Sequence, residues 1–434
     1  MVFQSEFQCE CGKLHKAMLD DVIIGKGVLE KLPEVIARYG AKKVFVFADP
    51  NTDAVAGIRV AKILENSGIA YTKYVFFTGE LEPNEEAVGS LMMHYDASCD
   101  LIVGIGSGVL NDIGKILANI SNHPYIIVGT APSMDGYASA SSSMARDGLK
   151  ISLNTRSANV IIGDIDVIKT APVKMMVSGL GDMLAKDISI CEWRISNLIN
   201  GEYFCPTVAN TVKEALQKCV DHASGLLNRE EDAVQAVFEG LVLGGIAMNY
   251  AGVSRPASGA EHYISHVWDM RGLEFGTPVD FHGIQCAIAT LYIAKIYEQI
   301  KKITPDREKA LAYVQSFDLE SYHRELKEFL GIAADSMIAL EKKEGKYNVE
   351  AHAKRLEVIL ANWDGILQII EEELPSAEFL EKLMDSIHAP KTASDIGIDE
   401  ELVPMSFVTA KDIRDKYVLP RLAWDLGVID ELKF

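Results

Sequence analysis

Six short runs rich in β-branched and aromatic residues fall before residue 165: Val22-Ile23-Ile24, Lys43 to Ala48, Tyr74 to Phe77, Leu101-Ile102-Val103, Tyr125 to Val128 and Val160-Ile161-Ile162. Runs this apolar suit strands covered on both faces. Between several of them lie segments of helical period, at Val28 to Tyr39, Ala54 to Asn66, Glu85 to Tyr95 and Asn111 to Ile120. Strand and helix in alternation predict an α/β domain built on a parallel sheet, Rossmann-like in layout. Within it, Ser139 to Met144 and Leu149 to Leu153 flank Arg146-Asp147-Gly148, whose Asp-Gly pair suits the turn of a small antiparallel hairpin. From Pro172 the β runs stop and long amphipathic segments take over: Lys174 to Asn200, Thr207 to Leu227, Glu231 to Tyr250, Cys286 to Lys301 and Leu319 to Phe329. The expected organisation is an α/β domain over residues 1–170 and an all-α domain over 171–434. A cleft between them is the default place for a ligand.

The chain has 434 residues, with 42 Lys+Arg against 62 Asp+Glu and a net charge of −20. Such an acid excess repels phosphate backbones, so nucleic acid is excluded as a partner, and an anionic ligand must be met by a local positive site. The first 16 residues carry Glu6 and Glu10 with no apolar leader core, and no stretch of about 18 uninterrupted apolar residues follows. The chain therefore reads as soluble and cytoplasmic, without a membrane partner. Seven cysteines, odd in number and thinly spread, do not form a disulfide framework. Cys9-x-Cys11 is half of a metal knuckle without a second pair, and reads as structurally neutral.

Two glycine-rich turns compete for a phosphate. Gly25-Lys26-Gly27 lies between a strand and a helix, with Asp49 ending the next strand, but its third glycine position is Glu30, whose carboxylate opposes a diphosphate. Gly104-Ile105-Gly106-Ser107-Gly108 is the better cradle: it follows a buried strand and precedes the helix bearing Asn111, Asp112 and Lys115. Its glycines let backbone N–H groups approach a diphosphate, and the helix start adds partial positive charge. Thr130, Ser133 and Asp135 sit on the turn after the next strand, at the carboxyl edge where such sheets bind ligands. Asp49 lies at such an edge too, as a ribose acceptor or simply a helix cap. Farther on, Gly259-Ala260-Glu261-His262-Tyr263-Ile264-Ser265-His266 places two histidines on one helix face, and His282-Gly283 opens another helix. Imidazoles with a carboxylate, for which Asp182 in Ser178-Gly179-Leu180-Gly181-Asp182 is the best candidate, suit a divalent metal.

The series Gly104-x-Gly106-Ser107-x-x-x-Asn111-Asp112-x-x-Lys115, Gly129-Thr130-Ala131-Pro132-Ser133-x-Asp135, Ser178-Gly179-x-Gly181-Asp182, Gly259-x-x-His262-x-x-x-His266 and His282-Gly283 resembles the superfamily of iron-containing alcohol dehydrogenases, glycerol dehydrogenases and dehydroquinate synthases. Within it, Asn111-Asp112 and Met134-Asp135-Gly136-Tyr137-Ala138-Ser139 are most similar to sn-glycerol-1-phosphate dehydrogenases of the bacterial type. The resemblance implies a dehydroquinate synthase-like fold, with an N-terminal nucleotide-binding domain and a C-terminal helical domain for metal and substrate. It implies Asp182, His262 and His282 as metal ligands. Asp49, Gly106, Ser107, Gly108, Asp112, Thr130 and Ser133 would meet the cofactor, and Asp135 and His266 would lie by the substrate hydroxyls as catalytic groups. The cofactors implied are NADH or NADPH and one divalent metal, zinc or nickel, with iron possible. The reaction implied is reversible reduction of dihydroxyacetone phosphate to sn-glycerol 1-phosphate, for glycerophospholipid synthesis, by a homodimer or larger homo-oligomer. A glycerol or other small-polyol dehydrogenase shares these motifs, and a dehydroquinate-synthase-like lyase is a further alternative. A triose phosphate substrate needs cations, for which Lys150 and Arg255 are candidates.

Overall fold

The structure, a computed structural model, describes residues 3–147 and 149–434. The chain forms two compact units, Met1–Met183 with Asn210–Val253, and Leu184–Ala209 with Ser254–Phe434. In the first unit, β3 (Asp21–Gly25), β4 (Lys43–Ala48), β5 (Ala70–Val75), β6 (Leu101–Gly106), β7 (Tyr125–Gly129) and β10 (Val160–Asp164) make one parallel sheet in the order β3-β10-β7-β6-β4-β5. Two short antiparallel ribbons accompany it, β1 (Glu6–Gln8) with β2 (Leu14–Lys16), and β8 (Ser141–Arg146) with β9 (Leu149–Asn154). The last is the expected hairpin. Its turn contains Asp147 at φ 53°, while Gly148 of the Asp-Gly pair lies outside the described residues.

Successive side chains of a strand point to opposite faces, and the core follows that period. Val44, Val46, Ala48, Leu101, Val103, Ile105, Ile126, Val128, Val160 and Ile162 share one buried cluster with Leu29, Leu32, Val35 and Ile36. On the other face Phe47 and Tyr125 stack at 6.4 Å, and a Cβ on Gly104 would lie 2.6 Å from the Tyr125 hydroxyl. Gly104 is thus required by ring packing rather than by a ligand. β5 starts four residues before the expected Tyr74 to Phe77 run, because Ala70 to Val75 pair with Lys43 to Ala48 at the sheet edge. An edge strand tolerates Thr72 and Lys73, which hide it from hydropathy patterning.

β4 is followed by β5 on one side and β6 on the other, and β6 in turn is followed by β7 on its far side. The carboxyl ends of β4 and β6 therefore form the switch point where open α/β sheets leave a crevice. Asp49 and the Gly106–Gly108 turn stand there.

Among the described residues no strand follows Asp164. The Glu231–Ala251 helix belongs to the first unit, and is long and apolar enough to cross a membrane by composition, yet 72% of its most apolar 18-residue window is buried. The second unit is helical and centred on the Ala260–Phe275 and His282–Ile300 helices. One cluster of its buried charges is satisfied internally. Asp412 accepts from Arg421 at 2.6 Å, Tyr347 at 2.5 Å and Tyr322 at 2.9 Å, and lies 3.3 Å from the Lys411 ammonium. Burial alone would raise the Asp412 carboxyl, but Lys411, Arg421 and Lys346 outweigh it and hold it below its ordinary value of 3.8.

Removing one partner of such a pair strands the other charge. Asp412→Ala is expected to cost about 3–5 kcal/mol in urea denaturation followed by tryptophan fluorescence. Because the folded carboxyl titrates below 3.8, its contribution is present above about pH 4 and is lost as pH falls through the folded value. The stability gap between wild type and Asp412→Asn should shrink accordingly in acid.

Candidate active site

The first unit offers two glycine turns, and their surroundings differ. At Gly25-Lys26-Gly27, the fully buried Asp164 carboxylate accepts from the N–H of Gly27 at 3.0 Å and of Leu29 at 3.2 Å. A protein carboxylate occupies the place a phosphate would need. At Gly106-Ser107-Gly108, β6 ends and the Gly108–Ser121 helix begins, with Ser107 at the N-cap and its side chain not spent on capping. The first N–H groups of a helix have no partner inside it. A Cβ on Gly106 would lie 2.3 Å from Leu110, so the tight turn itself demands glycine.

Residues after β7 are tied to this turn. The Thr130 N–H donates to Gly106 O at 3.1 Å, and the Tyr137 hydroxyl donates to Ala131 O at 2.8 Å. Asn111 Nδ2 donates to Gly136 O at 3.0 Å, while buried Lys115 Nζ reaches Ser139 Oγ at 3.2 Å and also Ser141 O. Asp112 pairs with Lys115 at 2.8 Å and accepts from the Ser143 N–H at 3.2 Å. The Asn-Asp-x-x-Lys motif therefore holds the 136–143 segment. Both Asp112 oxygens serve that role. Asp49 caps the Pro50–Thr52 turn, accepting from the Thr52 N–H at 2.7 Å through one oxygen. Lys150 is half-buried on β9, opposite Ala145.

Asp182 lies on the long Val173–Asn200 helix and is fully buried; its Oδ2 accepts from the Asp135 N–H at 2.9 Å. That contact depends on a close backbone approach. Ser178 Oγ donates to Ser133 O at 2.9 Å, and a Cβ on Gly179 would lie 1.9 Å from Pro132 O.

In the second unit three imidazoles converge. The ring centroids of His262 and His282 are 5.0 Å apart, and His266 stacks on His282 at 5.7 Å. Buried Glu261 accepts from His262 Nδ1 at 2.8 Å and from the Gly259 N–H at 2.8 Å. With a carboxylate on Nδ1, the neutral His262 ring carries its lone pair on Nε2, the tautomer that suits a metal-binding histidine. His282 Nδ1 lies 3.1 Å from Ser265 Oγ, and Cys286 Sγ is 3.5 Å from His282 Nε2. Burial would raise the Cys286 thiol, but His262 and His282 hold it below its ordinary value. Glu192 accepts from the N–H groups of Ala260 at 2.9 Å and Leu419 at 2.8 Å. Burial and the neighbouring Glu261 push Glu192 up to about 8. Arg255 is buried, donating through Nε to Glu202 at 2.7 Å, through one terminal nitrogen to Tyr417 O at 2.9 Å, and through the other to Glu202 and Ser196. Four of its five N–H donors are thus spent inside the unit. Arg255 is a structural cation there, a correction to its expected role as a phosphate ligand.

A model of iron-containing alcohol dehydrogenases matches residues 23–172. Over 302 residues the chain is 35% identical to a glycerol-1-phosphate dehydrogenase, NAD(P)+, of Halalkalibacterium halodurans, covering 68% of this chain and 76% of that one. The chain belongs to the iron-containing alcohol dehydrogenase family. A glycerol-1-phosphate dehydrogenase, NAD(P)+, of Bacillus licheniformis is 26% identical over 98% of this chain and 94% of its own. Glycerol dehydrogenase from Schizosaccharomyces pombe superposes with a TM-score of 0.58 at 18% identity, over 95% of this chain and 89% of that one, which shows the shared fold.

In this family member, sequence reasoning missed Glu261, Glu192 and Cys286. Glu261 adjoins His262 in sequence, which was a usable signal; the other two reach the site from a different helix and from the next turn. Gly179→Ala is expected to lose about 1–3 kcal/mol of stability, since the obstructing atom is backbone and cannot swing aside. Ser178→Ala, which removes one hydrogen bond, should lose about 1 kcal/mol in the same denaturant titration.

Proposed function

We propose that the chain is a metal-dependent, NAD(P)H-linked dehydrogenase that reversibly reduces dihydroxyacetone phosphate to sn-glycerol 1-phosphate. The observation that carries this reading is the 35% identity to a glycerol-1-phosphate dehydrogenase over 302 residues. In this reading residues 1–170 serve the nucleotide and residues 171–434 the metal and substrate, although the compact units divide the chain differently, with Asp182 in the first.

Asp182, His262 and His282 are the proposed ligands of one divalent ion, zinc, nickel or iron. The donor chemistry supports this. Asp182 is a buried carboxylate, and Glu261 leaves the metal-facing nitrogen of His262 unprotonated. When bound, the ion supplies a Lewis acid for a carbonyl oxygen and the nicotinamide supplies hydride. The Gly106-Ser107-Gly108 turn would hold the diphosphate with backbone N–H groups and the Ser107 hydroxyl. Thr130 and Ser133 would flank the nicotinamide, and Asp49 would offer its second oxygen to the ribose. Asp135 and His266 would bind the substrate hydroxyls, with His266 as the group able to deliver a proton to the developing alkoxide. Lys150 remains the candidate phosphate cation. A homodimer or larger homo-oligomer working in the cytoplasm for glycerophospholipid synthesis belongs to the same proposal, on the family resemblance alone.

The test follows NADH and NADPH absorbance with dihydroxyacetone phosphate and with dihydroxyacetone. Turnover should require the phosphate ester; equal rates with both ketones would point to a polyol dehydrogenase instead. Exhaustive chelation should abolish activity, and re-addition of zinc or nickel should restore it. His282→Ala is expected to abolish turnover while NADH binding, read by fluorescence, survives. Glu261→Gln should weaken metal affinity by about 10–100-fold.

A further inference from the structure

The Cys9-x-Cys11 pair lacks a second pair in sequence, yet the fold supplies a further ligand. β1 and β2 pair antiparallel with Phe7 opposite His15, so the intervening turn folds both cysteines back toward that histidine. The turn is tight: the Cys9 N–H donates to Lys13 O at 3.0 Å, the Gly12 N–H donates to Cys9 O at 3.0 Å, and Gly12 adopts φ +87°. Glycine takes that left-handed conformation without the cost a side chain brings. Cys9 and His15 are buried, Cys11 is half-buried, and one donor atom from each lies within 4.8 Å of the others.

The protonation of His15 is set from behind. Its Nδ1 lies 2.6 Å from the Tyr250 carbonyl oxygen, which can only accept, so the neutral ring carries its proton there. Nε2 then presents a lone pair toward Cys11 Sγ, 3.3 Å away. A carbonyl on the far nitrogen is the arrangement that orients a metal-binding histidine. The ring is also fixed by packing, with Phe7 at 5.0 Å, and Phe7 meets Tyr250 edge-on at 5.2 Å. Two thiolates and a neutral imidazole around a divalent ion sum to zero charge, which suits a buried place.

From this geometry we infer that Cys9, Cys11 and His15 form a structural metal site for a thiophilic divalent cation, zinc above all. Two thiolates and an imidazole favour zinc over the harder ions, and a tetrahedral ion keeps one further position for another donor. The site is separate from Asp182, His262 and His282 and has no part in hydride transfer. Its role is to staple the N-terminal ribbon, which buries little apolar area of its own, onto the end of the Glu231–Ala251 helix that carries Tyr250.

Full-length protein produced with zinc is assayed for bound metal by mass spectrometry of the element. His282→Ala, which removes a proposed catalytic ligand, should retain about one equivalent of zinc, and His282→Ala with Cys11→Ser should lose it. Cobalt substitution should give a thiolate charge-transfer band that survives Cys286→Ala and disappears in Cys11→Ser. Should the Cys11→Ser variants fail to fold, alkylation of the wild-type chain decides: zinc should shield Cys9 and Cys11, read by peptide mass. The inference is overturned by zinc-free His282→Ala protein, by a cobalt band lost with Cys286 alone, or by equal alkylation with and without zinc.

Discussion

The approach of the Gly179 backbone to the Pro132 carbonyl is the constraint on which the first unit's chemistry depends. Without a side chain at 179, the Val173–Asn200 helix sits directly on the turn after β7, and Ser178 seals the contact by donating to Ser133 O. That closeness lets buried Asp182 accept from the Asp135 N–H. A buried polar group is tolerated there because a backbone N–H meets it. The same turn is anchored from below by Thr130, Tyr137, Asn111 and Lys115, so a strand end that would otherwise be a mobile loop is held at several points.

Carboxylates and cations in this chain are mostly answered from within. Asp164 fills the first glycine turn, Asp112 holds β8, Arg255 is clasped by Glu202, and Asp412 gathers Arg421 and two tyrosines. The net charge of −20 therefore says little about any one site. The Gly106–Gly108 turn differs in its chemistry: Ser107 stands at the helix N-cap with its side chain not spent on capping. The histidines of the second unit are tuned the same way, through neighbours: Glu261 sets the His262 tautomer, and Ser265 stands beside His282.

Much of this was legible from residue order. Strands covered on both faces must be apolar throughout, and the sheet strands were visible as such, with only the edge strand β5 displaced because its polar Thr72 and Lys73, held by Asp96 and Asp53, break the run. The Asp-Gly turn marked the β8–β9 hairpin, and the histidine spacing marked one helix face. Arg255 was misread because charge in a sequence carries no burial, and the nearness of His15 to Cys11 was hidden because it arises from the pairing of two short strands.

By itself, then, the sequence determined the parallel α/β sheet, the helical remainder, the glycine turn at a helix start and the residue types able to bind a metal, since periodicity and side-chain chemistry are local properties. Tertiary structure alone decided which carboxylates are already satisfied, why Gly104, Gly106 and Gly179 must be glycine, and which nitrogen of His262 and of His15 carries the proton. Those depend on atoms brought within about 3 Å from distant parts of the chain, and hydrogen bonding and burial act only at that range.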